Sequence, residues 1–69
     1  MIPHDAFLVL CALIELGGKA TRELLTDAVD NSVDKSRMDE NISALLLETL
    51  IVSYRDSYRD YYELLDSQS

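Results

Sequence analysis

A chain of 69 residues with 48% apolar content allows one small domain, too apolar for a disordered segment. Its core is marginal, because a chain this short buries only about 60% of its unfolded surface. Six Lys and Arg against thirteen Asp and Glu give a net charge of −7, which argues against unaided binding to a phosphate backbone.

The single cysteine, Cys11, excludes an internal disulfide and fits a reducing compartment. Residues 1–16 show no basic n-region and no cleavage pattern, so a signal peptide is not expected. The longest apolar run, residues 6–14, falls short of the roughly 20 residues that a membrane span needs. A cytoplasmic protein without a membrane partner is therefore expected.

Pro3 suits the first position of a helix, where its missing N–H costs nothing, and Asp5 meets the positive end of the helix dipole. A first helix is predicted to about Leu16, stopped by a left-handed cap at Gly17-Gly18. Its run Ala6-Phe7-Leu8-Val9-Leu10-Cys11-Ala12-Leu13-Ile14 is apolar on every face. A surface helix of a monomer shows a stripe and a polar back. A second subunit is the expected cover, so a homodimer is predicted.

Lys19-Ala20 is too short to assign alone. Thr21 caps a second short helix, with Glu23 in its first turn and Leu24, Leu25, Ala28 and Val29 at helical spacing. Asp30-Asn31-Ser32 breaks it through bonds from side chain to backbone. Either Asp34, or Ser36 with Asp39 as its capping-box partner, starts a third helix over residues 35–49. Met38, Ile42, Leu45 and Thr49 share its inner face, and Leu46 and Leu47 widen the apolar arc.

At Ile51 the period changes. Leu50, Val52 and Tyr54 alternate with Ile51, Ser53 and Arg55, and β-branched residues appear. A polar tip repeats Ser-Tyr-Arg-Asp twice, at Ser53 and at Ser57, before the apolar run of residues 61–65. No Gly, Pro or Asn marks a hairpin turn there, and Tyr54, Tyr58, Tyr61 and Leu65 also fit a helical stripe. The rival is a continuous helix over residues 35–65; the run Ile51-Val52-Ser53-Tyr54 favours the hairpin. The domain is expected over residues 1–66, with 67–69 as a frayed tail.

Helix, short strand, helix, turn, helix and hairpin, with Met38, Ile42, Leu45 and Leu50-Ile51 as the apolar frame, resemble the winged helix-turn-helix superfamily. The resemblance covers nearly the whole chain and rests on apolar spacing, not on a chemical motif. It implies an α+β fold of three helices with a C-terminal β-hairpin wing. It also implies that the third helix is a recognition helix with an outward face of Ser36, Arg37, Glu40, Asn41 and Ala44, beside Asp39. Two departures stand out. The family commonly has Gly before the first wing strand, where this chain has Thr49. Asp39 and Glu40 stand where a DNA-binding member presents cations or amides.

No catalytic or metal-binding constellation is legible, and neither an enzyme nor a cofactor is expected. His4 lacks a second ligand at metal spacing and reads as an exposed helix-start residue. Cys11 reads as an inert thiol among apolar neighbours. Arg55, Tyr58 and Arg59 form the one cation-plus-aromatic cluster, at the wing tip. Two functions are therefore carried forward. The first is a small acidic regulatory module acting through protein contacts, as a dimeric adaptor or inhibitor, with nucleic-acid mimicry as one form. The second is a DNA-binding transcriptional regulator. Ser36, Arg37, Asp39, Glu40, Asn41, Arg55, Tyr58 and Arg59 are the candidate partner or DNA contacts. Phe7, Leu8, Leu10, Cys11, Ile14, Leu46 and Leu47 are the candidate dimer contacts.

Overall fold

The computed structural model describes residues 2–65, so the tail expected to fray lies outside the described residues. Three helices, α1 (His4–Glu15), α2 (Arg22–Val29) and α3 (Met38–Leu47), pack on a three-stranded antiparallel sheet. The strands are β1 (Lys19–Thr21), β2 (Ile51–Asp56) and β3 (Arg59–Leu64), in the order β1-β3-β2. This small α+β architecture is compatible with a winged-helix-like fold.

Pro3 is extended at ψ 156° and sits just before α1 rather than inside it. The far end of α1 follows its sequence closely. Gly17 adopts φ 94°, Gly18 N–H donates to the Leu13 carbonyl at 2.9 Å, and Gly17 N–H donates to that of Ile14 at 3.0 Å. These two bonds close a Schellman motif. Thr21 caps α2 by accepting from Leu24 N–H at 3.2 Å. Residues Asp30–Ser32 form a short 3-10 turn, opened by Asp30 at φ 50°.

The third helix begins in two steps. Asp34 Oδ1 accepts from the Ser36 N–H at 2.9 Å and from the Ser36 hydroxyl at 2.8 Å, which starts a 3-10 turn over Lys35–Arg37. Of the two expected starts, Asp34 is thus the cap; the Ser36 hydroxyl turns back to Asp34 instead of forward to the helix. Regular α3 then runs Met38–Leu47 and ends before Thr49. Leu50 N–H donates to the Leu45 carbonyl and Thr49 N–H to that of Leu46, both at 3.1 Å, with Thr49 at φ 59°. The hydrogen bonds match those at the end of α1, but a β-branched residue occupies the left-handed position.

The hairpin reading holds over the continuous helix. Ile51 pairs with Leu64, Tyr54 with Tyr61 and Asp56 with Arg59. Ser57 and Tyr58 make the two-residue turn at φ 52° and 69°. Positive φ at both positions is what the primed hairpin turn demands, and Asn-Gly is its usual sequence. The core holds Ala6, Val9, Ala12 and Leu13 of α1, Leu25 and Val29 of α2, and Met38, Ile42 and Leu45 of α3. Ala20, Val33 and Ile51 complete it, with Tyr62 and Leu64 packed against its edge. No helix among the described residues is long and apolar enough to cross a membrane.

Candidate functional site

The outward surface of α3 differs from the expected one. Asn41 is only 6% exposed, and its Nδ2 has no hydrogen-bond partner among the described residues. Ala44 is half-buried against the core. Neither is an outward-facing reader. The reason is helical phase: Asn41 stands one residue from Ile42 and four before Leu45, so it shares their inward arc. Ser36, Arg37, Asp39 and Glu40 are exposed, as expected. Glu40, Ser43 and Leu47 lie at i, i+3 and i+7 on one face, and Leu47 is 85% exposed. Leu47 thus belongs to the face carrying the acids, and with Ser43 and Leu46 it lines a shallow apolar hollow.

Carboxylates hold two of the cations near this face. Arg22 Nε lies 2.8 Å from Asp39 Oδ1, which ties the start of α2 to the start of α3. Arg37 Nε lies 3.3 Å from Glu40 Oε2 one turn along. At the hairpin, Arg55 Nε lies 3.6 Å from Asp60 Oδ1 on the paired strand. All six groups are largely exposed, so each pair adds at most about 1 kcal/mol to stability. Their larger effect is on charge: Arg22, Arg37 and Arg55 each face an internal anion.

Tyr58 is 94% exposed at the hairpin tip. A cleft of about 680 Å³ separates the tip from α2, lined by Arg22, Glu23 and Leu24 on one side and Tyr58, Arg59 and Asp60 on the other. Of the predicted cluster, Tyr58 and Arg59 line this cleft, whereas Arg55 pairs with Asp60 and Arg59 with Asp56, so strand alternation puts the two arginines on opposite faces of the hairpin. Further along the sheet, Tyr54 and Tyr61 stack with centroids 5.9 Å apart. Lys19 Nζ lies 5.2 Å and 4.8 Å from the two ring centroids. The Tyr54 hydroxyl, with the nearby Asp56 and Glu63 carboxylates, holds the Lys19 ammonium above its ordinary range against a smaller opposing effect of desolvation. Sequence reading missed Lys19 and Arg22 as members of these groups. The hairpin register could have placed Tyr54 opposite Tyr61, but no local signal joins Arg22 to Asp39 across 17 residues.

The candidate dimer contacts fall into two groups. Phe7 at 51% and Ile14 at 55% are exposed on α1, and Cys11 is half-buried between them. Leu8, Leu10 and Leu46 are partly buried and pack on the core. The helix that reads as apolar all round thus buries one side within its own chain and leaves one stripe outside. Leu10 and Ile14 also line an apolar groove of about 210 Å³ with Thr49, Leu50, Leu64 and Leu65. His4 lies at the other end of α1, in a cleft with Asp5, Arg37, Glu40 and Asn41. Among the described residues, no group of three or more His, Cys, Asp or Glu side chains could hold a metal ion. No protein-family model matches the chain, and no curated protein matches it in sequence.

Proposed function

We propose that this chain is a winged-helix regulatory module that acts through protein contacts, in a two-copy state, inside the cytoplasm. One observation carries the reading: the outward face of α3 presents Asp39, Glu40 and Leu47, while Arg22 and Arg37 are held by those same two carboxylates. A duplex approaching α3 meets acids whose cationic neighbours are already engaged. Two like charges about 4 Å apart interact by roughly 1 kcal/mol in water and by several at lower effective dielectric. A protein partner meets an exposed leucine beside Ser43 and Leu46, with Glu40 two turns away on the same face, a mixture of apolar anchor and charge suited to a protein interface.

Duplex binding measured by fluorescence anisotropy tests this. The wild type is expected to bind random duplex weakly at physiological salt. Asp39→Asn with Glu40→Gln is expected to raise non-specific binding, and the gain fades as salt rises. Tight, sequence-specific binding by the wild type overturns the reading. It then favours the DNA-binding regulator, with Ser36 and Arg37 facing bases and Arg55 and Arg59 on the backbone. Asn41 drops out of that reader set because it is buried.

A further inference from the structure

Given the two-copy state proposed above, we infer that a second copy of this chain sits on the outward stripe of α1, about a two-fold axis beside Cys11. Phe7, Cys11 and Ile14 lie at i, i+4 and i+7, which places them on one face. Ala6, Val9 and Leu13, all fully buried, occupy the opposite face. The stripe continues into the groove formed with Leu50, Leu64 and Leu65.

Its chemistry selects the occupant. The groove lining of Leu10, Ile14, Thr49, Leu50, Leu64 and Leu65 carries no charge although the whole chain carries −7, and exposed Glu15, at i+4 from Cys11, borders the stripe at its end. Two such copies repel over most of their surface and can meet only on an uncharged face. A basic partner would be drawn instead to the acidic surfaces elsewhere. The stripe is also self-complementary. A two-fold axis between Leu10 and Cys11 lays each Phe7 on the opposite Ile14 and brings the small Cys11 of each copy close to the axis. Phe7, Ile14, Leu50 and Leu65 are 51%, 55%, 39% and 37% exposed. With their half-buried neighbours they present roughly 400–500 Å² of apolar surface per copy, as large as the patches that mark interaction sites. A pair then covers close to the roughly 1,000 Å² at which specific interfaces begin.

Sedimentation equilibrium of the full chain, combined with a short bismaleimide, tests the arrangement. Twice the 7.8 kDa chain mass is expected at high concentration, with tighter association as salt rises because the copies repel. The bismaleimide should convert most of the dimer to a covalent pair through Cys11, the chain's sole cysteine. Cys11→Ser should stay dimeric but lose the cross-link. Ile14→Glu should shift the dissociation constant at least a hundredfold, with unchanged circular dichroism because Ile14 is already half outside. Leu47→Glu, on the other face, should leave the mass unchanged. A dimer that survives Ile14→Glu, that dissociates with Leu47→Glu, or that resists cross-linking overturns the seat on α1. A monomer at every concentration overturns the two-copy state as well. Neither result touches the duplex-binding measurement, so the protein-contact reading stands or falls separately.

Discussion

The ends of α1 and α3 make the same two hydrogen bonds with different residues. In α1 the left-handed position is Gly17 at φ 94°, and a Cβ built there meets nothing within 4 Å. In α3 it is Thr49 at φ 59°, where a branched side chain crowds the backbone. Both ends are anchored by a fully buried leucine, Leu13 or Leu45, whose carbonyl accepts the longer-range bond. The hydrogen-bond pattern is thus set by the need to satisfy the last carbonyls and by the apolar anchor. Glycine makes that geometry cheap, but packing imposes it on threonine too.

Removing the anchors should break both ends. Leu13→Ala and Leu45→Ala are each expected to cost about 2–5 kcal/mol, enough to abolish a cooperative thermal transition in a domain this small. A variant that keeps a sharp transition near the wild-type midpoint would show that the anchor is not needed.

The next effect separates the two ends. Gly17→Ala is expected to destabilise by about 1–2 kcal/mol, because a Cβ in the left-handed region is strained even with open space around it. Urea denaturation reads this directly, and an unchanged midpoint counts against it. Thr49→Gly should act in the opposite sense, raising stability by about 1 kcal/mol or less once glycine's extra chain entropy is counted. A loss of stability there would mean that the Thr49 side chain contributes more than its backbone strain costs.

The smallest effect lies at the start of the α3 region. The Ser36 hydroxyl, then its N–H, hold the Asp34 carboxyl below its ordinary value of 3.8. A depressed folded value means the stabilisation is complete above the unfolded value and is lost as pH falls through the folded one. Asp34→Asn retains a capping oxygen without the charge. Its urea midpoint should therefore lose part of the wild-type decline below about pH 4, and parallel pH profiles would rule the contribution out.

Much of this structure was legible in the chain. Pro3, Gly17-Gly18, Thr21 and Asp34 mark element boundaries through bonds with near neighbours, and such bonds depend on local sequence. The switch from helical spacing to alternation at Ile51 placed the hairpin, although Ser57-Tyr58 carries none of the usual turn residues. There the pairing of β2 with β3 forces positive φ on residues that would not choose it. The candidate site was read less well. Its acids and its hairpin cations were visible as residue types, but their pairing was not.

The sequence by itself determined the order of elements, the inner apolar faces and the acidic balance, because each follows from spacing and composition. Only tertiary packing decided that Leu47 stays outside and that Asp39 meets Arg22. Those outcomes depend on how α3 is rotated against α1 and α2, and on contacts between residues far apart in the chain. No local pattern encodes such a rotation, since it is set by how the three helices and the sheet fill one shared core.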